Sequence, residues 1–414
     1  MREASQLHDL VSTEPLAMVV GLGAVSPIGD CVAEFWDALF QQPADPTVEA
    51  IAGFPEQDQT PRHAYAMPAH HVGCEVRGCQ ASRFESIVAG AIEEALADAG
   101  WDDVADEDLV LGFVLGTAAG DTEIAESLRC GGGVPRFAEH NSYRLLDRVG
   151  ELTGRDFSGP MFAMSNACSA GLYALTQAAE LIASGSVDAM CVVSADVLSR
   201  VTQASFHRMT ALDPERCRPF DADRQGTVFG EGAAAMLLVS PAVAKRLERR
   251  AYCQVRAYGA SCDAFHPTSP QPQGRDIGLA IKRALENGRV SSEQIQLMFP
   301  HGTGTPMNDR IESDMIEQLF DCSADDFHVL PIKAHIGHCA GASGNFAALV
   351  AAKAISLRTA PPTLHIRVPD PDLPLPFPKT AISLAQAPAV RVLVNAYAFG
   401  GSNISILLEA PGHG

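Results

Sequence analysis

Short apolar and β-branched runs alternate along the whole chain with longer Ala-rich stretches of helical spacing. Residues 17–20, 109–115, 188–193, 234–239, 254–258, 296–299 and 390–395 read as strands. Residues 84–99 and 171–184 have helical periodicity, and each closes beside a glycine, Gly100 or Gly185. Strands apolar at consecutive positions are covered on both faces, so the pattern predicts an α/β fold. The proline-rich stretch 361–378 reads as a surface connection ahead of the last strand.

The pattern also repeats. Ser165-Asn166-Ala167-Cys168-Ser169-Ala170-Gly171 opens one Ala-rich helix, and Gly337-His338-Cys339-Ala340-Gly341-Ala342-Ser343-Gly344 opens another. In each half a strand runs into a Gly/Thr turn, Leu115-Gly116-Thr117 and Pro300-His301-Gly302-Thr303. Such helix starts are common, so the repeat alone supports duplication weakly. It predicts two similar halves meeting at one site.

Composition narrows the class. With 414 residues and 47% hydrophobic content the chain can bury a large core, which excludes a wholly disordered protein. Thirty basic against fifty acidic side chains leave a charge of −20, against general binding of nucleic acid or an anionic membrane. The first ten residues, MREASQLHDL, hold no apolar signal core. The most apolar runs, 233–239 and 346–352, are far shorter than the ~20 residues of a spanning helix. Eleven dispersed cysteines without a C-x-x-C point to buried thiols in a reducing compartment, hence the cytoplasm.

Three residues stand out chemically. Cys168 sits where a helix begins, and the positive end of the helix dipole favours its thiolate. Ala167, Ser169, Ala170 and Gly171 leave room for a substrate beside it. His301 lies in PHGTGTP with Asp309 and Glu312 just beyond, and His338 follows Lys333 by five residues in KAHIGHCAGASG. A single histidine or cysteine is by default structural. Two histidines in Gly-rich turns together with such a thiol fit nucleophile-plus-base chemistry better. Metal-ligand spacing is lacking, Gly21-x-Gly23 misses the third glycine of a dinucleotide fingerprint, and no phosphate-binding P-loop motif occurs.

At these residues the sequence resembles the β-ketoacyl-acyl-carrier-protein synthases of the thiolase-like superfamily, the ketosynthases of fatty acid and polyketide synthesis. The likeness rests on VVGLGAVSPIG, NACSAG, RPFDADRQGTVFGEGA, PHGTGTPMNDRIESDMI, KAHIGHCAGASG and NAYAFGGSN, in the family's order over nearly the whole chain. It implies a duplicated α-β-α-β-α five-layered sandwich, with residues 1–245 as one half and 246–414 as the other. It implies that Cys168 accepts an acyl chain from carrier protein. His301 and His338 then promote decarboxylation of a malonyl thioester and stabilise the enolate, and Lys333 sets the site's electrostatics. Backbone N–H groups of Cys168 and Phe399 match the family's oxyanion hole, where each donor contributes roughly 3–4 kcal/mol in other acyl-transfer enzymes. Glu312, Asp309, Thr303 and Thr305 match the supporting HGTGTP segment. Phe399 matches the aromatic gate and 262–270 its partner loop. Phe206, Thr227, Phe229, Tyr397, Ala398, Gly400 and the segment 118–137 are candidates for lining the substrate pocket.

The resemblance implies a dimer, homodimeric or with a second ketosynthase-like chain. It implies no resident cofactor or metal, because the phosphopantetheine arm comes with the carrier protein. Thr227 stands where the family has Phe, Gln225 where it has Asp, Ala347 where it often has Glu, and Ala398 where the gate has Gly. Ala398 reaches positive φ less cheaply than Gly, so a stiffer or differently hinged gate is expected. These departures point away from housekeeping fatty-acid synthesis and towards a specialised pathway. Two alternatives remain: transfer of the chain to another acceptor without decarboxylation, and a non-catalytic partner subunit. Carrier proteins are typically acidic, so docking against a charge of −20 calls for a local basic patch, with Arg77, Arg83, Arg129, Arg136 and Arg208 as candidates.

Overall fold

The computed structural model describes residues 14–48, 63–67, 75–103, 108–122, 126, 144–248 and 250–412. Ten strands form one mixed sheet: β1 (Ala17–Val25), β2 (Leu111–Gly116), β3 (Met161–Met164), β4 (Ala189–Asp196), β5 (Gly232–Val239), β6 (Cys253–Cys262), β7 (Leu297–Phe299), β8 (His328–Val329), β9 (Arg391–Ala398) and β10 (Ser402–Glu409). Their order is β8-β7-β9-β10-β6-β1-β5-β4-β2-β3. From β1 outward the order is 1-5-4-2-3, and from β6 outward it is 6-10-9-7-8. The first two neighbouring pairs on each side are antiparallel and the last two parallel. β1 and β6 join antiparallel at the centre. The repeat read from two helix starts thus extends to strand order and direction.

The helices that position the site are α1 (Arg83–Ala99), α2 (Ala170–Ala183), α3 (Arg200–Arg208), α4 (Arg275–Gly288), α5 (Pro306–Leu319) and α6 (Ser343–Leu357). Sequence signals set the ends of α1: Ser82 and Glu85 form a reciprocal capping box, and Gly100 closes the helix at φ +62°. α2 and α6 pack against each other between the two halves of the sheet, in the central apolar core. α1 covers β1, β4 and β5 from outside, and α4 covers β6 and β10. This is the expected five-layered α/β sandwich.

Some expectations change. β3, β8 and β10 escaped the periodicity reading, β3 and β8 because they are too short to show a period. β10 follows β9, so 361–378 precedes two strands of the main sheet rather than the last one. That stretch is a surface connection only in part, with 367–369, 371, 372 and 374 exposed. Ile366, Leu373 and Leu375 are buried in the outer core with Phe220 and Tyr397, because apolar residues alternate with the prolines and point inward. The longest apolar span is also longer than expected. Ala340–Leu357 has the length and hydropathy of a membrane-crossing helix, yet most of it is buried as the central helix of the sandwich.

The proline-rich segment also encloses two neutral histidines. His365 lies buried with Nε2 2.9 Å from the Pro219 carbonyl oxygen. Burial pushes His365 down to about 4, and burial with His365 nearby pushes His335 down to about 3. The unfolded chain takes up these protons near pH 6.5, whereas the folded chain refuses them until far lower pH. Their contribution to stability is therefore lost as pH falls from about 6.5 towards 4. His335→Gln should remove one proton from this dependence, flattening the slope of unfolding free energy by about 1.4 kcal/mol per pH unit. Urea unfolding of both proteins at pH 7, 6 and 5 measures it.

Candidate active site

Cys168 lies in a tight 3-10 turn, Ala167–Ser169, between β3 and α2. Ala167 takes φ +46°, a conformation costly for a residue with a Cβ. Ala340 takes φ +43° in the matching turn, Ala340–Ala342, ahead of α6. The two turns pack almost backbone to backbone. A Cβ on Gly171 would lie 2.7 Å from the Gly341 carbonyl oxygen, and one on Gly341 would lie 2.7 Å from the Ala118 nitrogen. The small residues that marked both helix starts are needed for this approach.

His301 follows β7 on a turn held by two buried carboxylates of α5. Glu312 accepts the backbone N–H groups of His301 and Gly302 at 2.7 and 2.8 Å. Asp309 accepts those of Thr303, Gly304 and Phe220 at 3.1, 3.2 and 2.8 Å, with Arg224 3.7 Å away. The Lys333 ammonium donates to the His301 carbonyl oxygen from behind. His338 lies with Nδ1 2.9 Å from the Ser343 hydroxyl. The two imidazole rings meet edge to face, with centroids 5.5 Å apart. Among the described residues, buried His301 Nδ1 has no hydrogen-bond partner.

Burial dominates the electrostatics. It lowers both histidines well below the ordinary value, with Lys333 adding to the effect, so both are neutral at pH 7. Burial also lowers Lys333, opposed by Glu312, and raises Glu312. The Cys168 thiol is pushed up to about 12 by burial, although Lys333 pulls it down. This corrects the expected thiolate: in the resting site, desolvation by the packed turn outweighs the favourable helix end and ammonium, and the thiol is neutral.

Two spaces border Cys168. A cleft of about 510 Å³ is bordered by Cys168, His301, His338, Thr303, Thr305, Phe206, Gln225, Thr227, Tyr397, Ala398, Phe399 and Gly400. A chamber of about 120 Å³ lies on the other side, bordered by Cys168, Phe206, Phe229, Phe399 and Ala118. Phe206 and Phe399 stack at 5.2 Å and separate the two, and Phe229 meets Phe206 at 4.7 Å and His338 at 5.8 Å. Most residues expected at the site therefore converge on it. Lys333, Glu312 and Asp309 act from behind, through the backbone of the His301 turn.

The departures find places too. Ala398 ends β9 opposite Ser402 and needs no positive φ, which falls instead on Gly400 (+87°) and Gly401 (+83°). The backbone conformation expected before Phe399 therefore lies after it. The Thr227 hydroxyl lies 4.0 Å from the Cys217 sulfur, and Ala347 is buried in the central apolar core.

The basic candidates divide. Arg83, the first residue of α1, is half-buried, paired with the buried Glu231 and donating to the Met67 carbonyl oxygen, which leaves it little free for a partner. Arg77 pairs with Glu93 at 3.0 Å. Arg208 is exposed at the end of α3, next to Met209 and Thr210 at the cleft mouth. Arg129 and Arg136, like most of 118–137, lie outside the described residues; Ala118 and Ala119 border the chamber. The sequence reading missed Asp196, a buried carboxylate bordering the chamber. Its signal was an acid at the end of an otherwise apolar strand, AMCVVSAD.

Comparison with known proteins agrees with this geometry. Residues 16–244 match the β-ketoacyl synthase N-terminal domain and residues 252–367 the C-terminal domain. The tetracenomycin polyketide synthase ketoacyl synthase alpha subunit of Streptomyces glaucescens is 31% identical, over 86% of this chain and 89% of that one. 3-Oxoacyl-[acyl-carrier-protein] synthase 2 of Rhizobium meliloti is 30% identical, over 95% of this chain and 98% of that one. The solved structure of the ishigamide ketosynthase/chain length factor superposes with a TM-score of 0.80 at 29% identity, covering 96% of this chain and 99% of that one. With both domains matched in order around the Cys–His–His cleft, the chain belongs to the β-ketoacyl synthase family.

Proposed function

We propose that this enzyme is a condensing ketosynthase of a specialised, polyketide-type pathway, which extends an acyl chain delivered by acyl carrier protein. The carrying observation is the convergence of Cys168, His301 and His338 on one cleft, with Lys333 behind. The Cys168 sulfur attacks the acyl thioester, the S–C bond to the pantetheine arm breaks, and the arm's thiol leaves with the proton. The malonyl thioester then loses carbon dioxide, and the electrons of the broken C–C bond form an enolate. The enolate carbon attacks the Cys168 thioester, a C–C bond forms, and the cysteine sulfur departs. Neutral imidazoles suit this chemistry, because each can donate an N–H to the enolate oxygen without surrendering its proton. Backbone N–H groups of Cys168 and Phe399 would take the other oxyanion.

The pantetheine arm arrives with the carrier protein, so the reaction as read needs no resident cofactor or metal. We place the enzyme in the cytoplasm and read it as a duplication with the division near residue 245. The sheet ends at β3, whose outer edge has no strand beside it among the described residues, and a second copy or a related chain can extend it there. Transfer to another acceptor without decarboxylation is the second reading, favoured by Thr227 in place of an aromatic. A non-catalytic partner role is disfavoured by the intact, strained Cys168 turn opening on the cleft.

Incubation with acyl- and malonyl-carrier protein tests the proposal. Carbon dioxide and a product two carbons longer are expected, and the elongated product should vanish in Cys168→Ala. Acylated Cys168 without elongation would sink the condensing reading in favour of the second. Phe399→Ala removes the wall between cleft and chamber, and should raise unproductive malonyl decarboxylation several-fold relative to condensation. The ratio of carbon dioxide to elongated product measures this. Arg208→Glu should slow transfer from carrier protein several-fold while sparing a small acyl-thioester mimic; comparing the two donors separates lost docking from a damaged fold.

A further inference from the structure

The buried carboxylate at the end of β4 takes no part in the chemistry above, yet it touches both halves of the site. Asp196 Oδ1 accepts from the Thr117 hydroxyl at 2.9 Å and from the backbone N–H groups of Ala118 and Ala119 at 3.2 Å. Its Oδ2 accepts from Ala118 N–H at 3.0 Å and from Gly341 N–H at 2.8 Å. Thr117 directly follows β2 and leads to Ala118 and Ala119 at the chamber wall, and Gly341 lies in the strained turn after His338. The same carboxylate borders the chamber together with Ala167 and Cys168. Every one of these contacts is a donor pointing at oxygen, so an ionised carboxylate satisfies the set and a neutral amide cannot.

We propose that Asp196 is a positioning residue that ties the turn after His338 to the Thr117–Ala119 segment, and that its negative charge, on the chamber that Cys168 also borders, opposes a thiolate there. Burial raises Asp196 only to about 6, since four donor groups hold the charged form, so it is ionised at pH 7. Its charge acts on Cys168 in the direction of the thiol. The other titratable groups facing that sulfur are Lys333, which favours the thiolate, and the neutral His301 and His338 of the cleft. Cys339, on the turn carrying Gly341, also feels Asp196. The arrangement exchanges a more reactive resting nucleophile for a fixed relation between the turn after His338 and the chamber wall.

Asp196→Asn keeps the shape and removes the charge. Whichever way the amide faces, one side presents N–H to N–H, at Gly341 or at the Ala118–Ala119 backbone. Two changes in opposite directions are expected. The kcat for condensation should fall about tenfold with KM little changed, as a misplaced catalytic group costs. Alkylation of Cys168 by iodoacetamide, in which thiolate displaces iodide, should speed up about tenfold at pH 7, as a one-unit fall in thiol pKa gives. Peptide mass spectrometry reads Cys168 separately, with the buried Cys191 and Cys253 as folding controls. A Cys168 alkylation profile between pH 6 and 9 identical to wild type would overturn the proposal. Thr117→Val keeps the charge and removes one tether, so kcat should fall about threefold with alkylation unchanged; an unaltered kcat there would also overturn it. The kcat arm rests on the condensing reading, whereas the alkylation arm does not. Wild-type enzyme releasing no carbon dioxide would count against the former alone.

Discussion

The site depends on how closely two strained turns can approach. Gly171 and Gly341 meet with no room for a Cβ, and Ala167 and Ala340 adopt the same left-handed conformation on either side of that contact. Such a conformation costs of order 1–3 kcal/mol per residue and persists only where the surroundings enforce it. Here the enforcement comes from the central helices α2 and α6, each buried between the two sheet halves. Because the strand order repeats, the two helix starts arrive face to face, and the nucleophile of one half is delivered beside the histidine turn of the other. The duplication is therefore a geometric device: neither half contains the site.

That close packing sets the charge state. Excluding water raises the thiol, lowers both histidines and lowers Lys333, so the resting cleft presents neutral reacting groups. Charge is kept one layer back. Lys333 reaches the backbone of the His301 turn, while Glu312 and Asp309 hold that turn through its N–H groups. A site that generates oxyanions is better served by fixed N–H donors in a dry cavity than by mobile charges, which would have to be desolvated at each turnover.

Much of this was legible in the sequence. Cys168, His301, His338 and Lys333 announce themselves by residue type within Gly- and Ala-rich turns, and long apolar strands such as β4 and β5 are visible as runs. What escaped depends on partners distant in sequence. Asp196 reads as a strand end until Thr117 and Gly341 are seen to converge on it, 79 and 145 residues away. Arg83 reads as a surface cation until Glu231, 148 residues on, appears beneath it. The thiol's charge state could not be read either, because a helix start favours thiolate while the packing that outweighs it comes from other segments.

The departures also read differently in three dimensions. Thr227 removes an aromatic surface relative to the family pattern, yet Phe206, Phe229 and Phe399 form a continuous aromatic wall from the chamber to His338. Phe206 on α3 and Phe399 after β9 stack on one another, and the two positive-φ glycines, 400 and 401, directly follow Phe399. α3 thus brings Phe206 to the wall between cleft and chamber, and its last turn carries Arg208 beside the cleft-lining Met209 and Thr210. Around that mouth the exposed residues Met209, Met307 and Phe399 are apolar rather than acidic. With Asp263 as the one carboxylate among the described residues bordering the cleft and Arg208 close by, the repulsion an acidic partner meets there is smaller than the net charge of −20 implies.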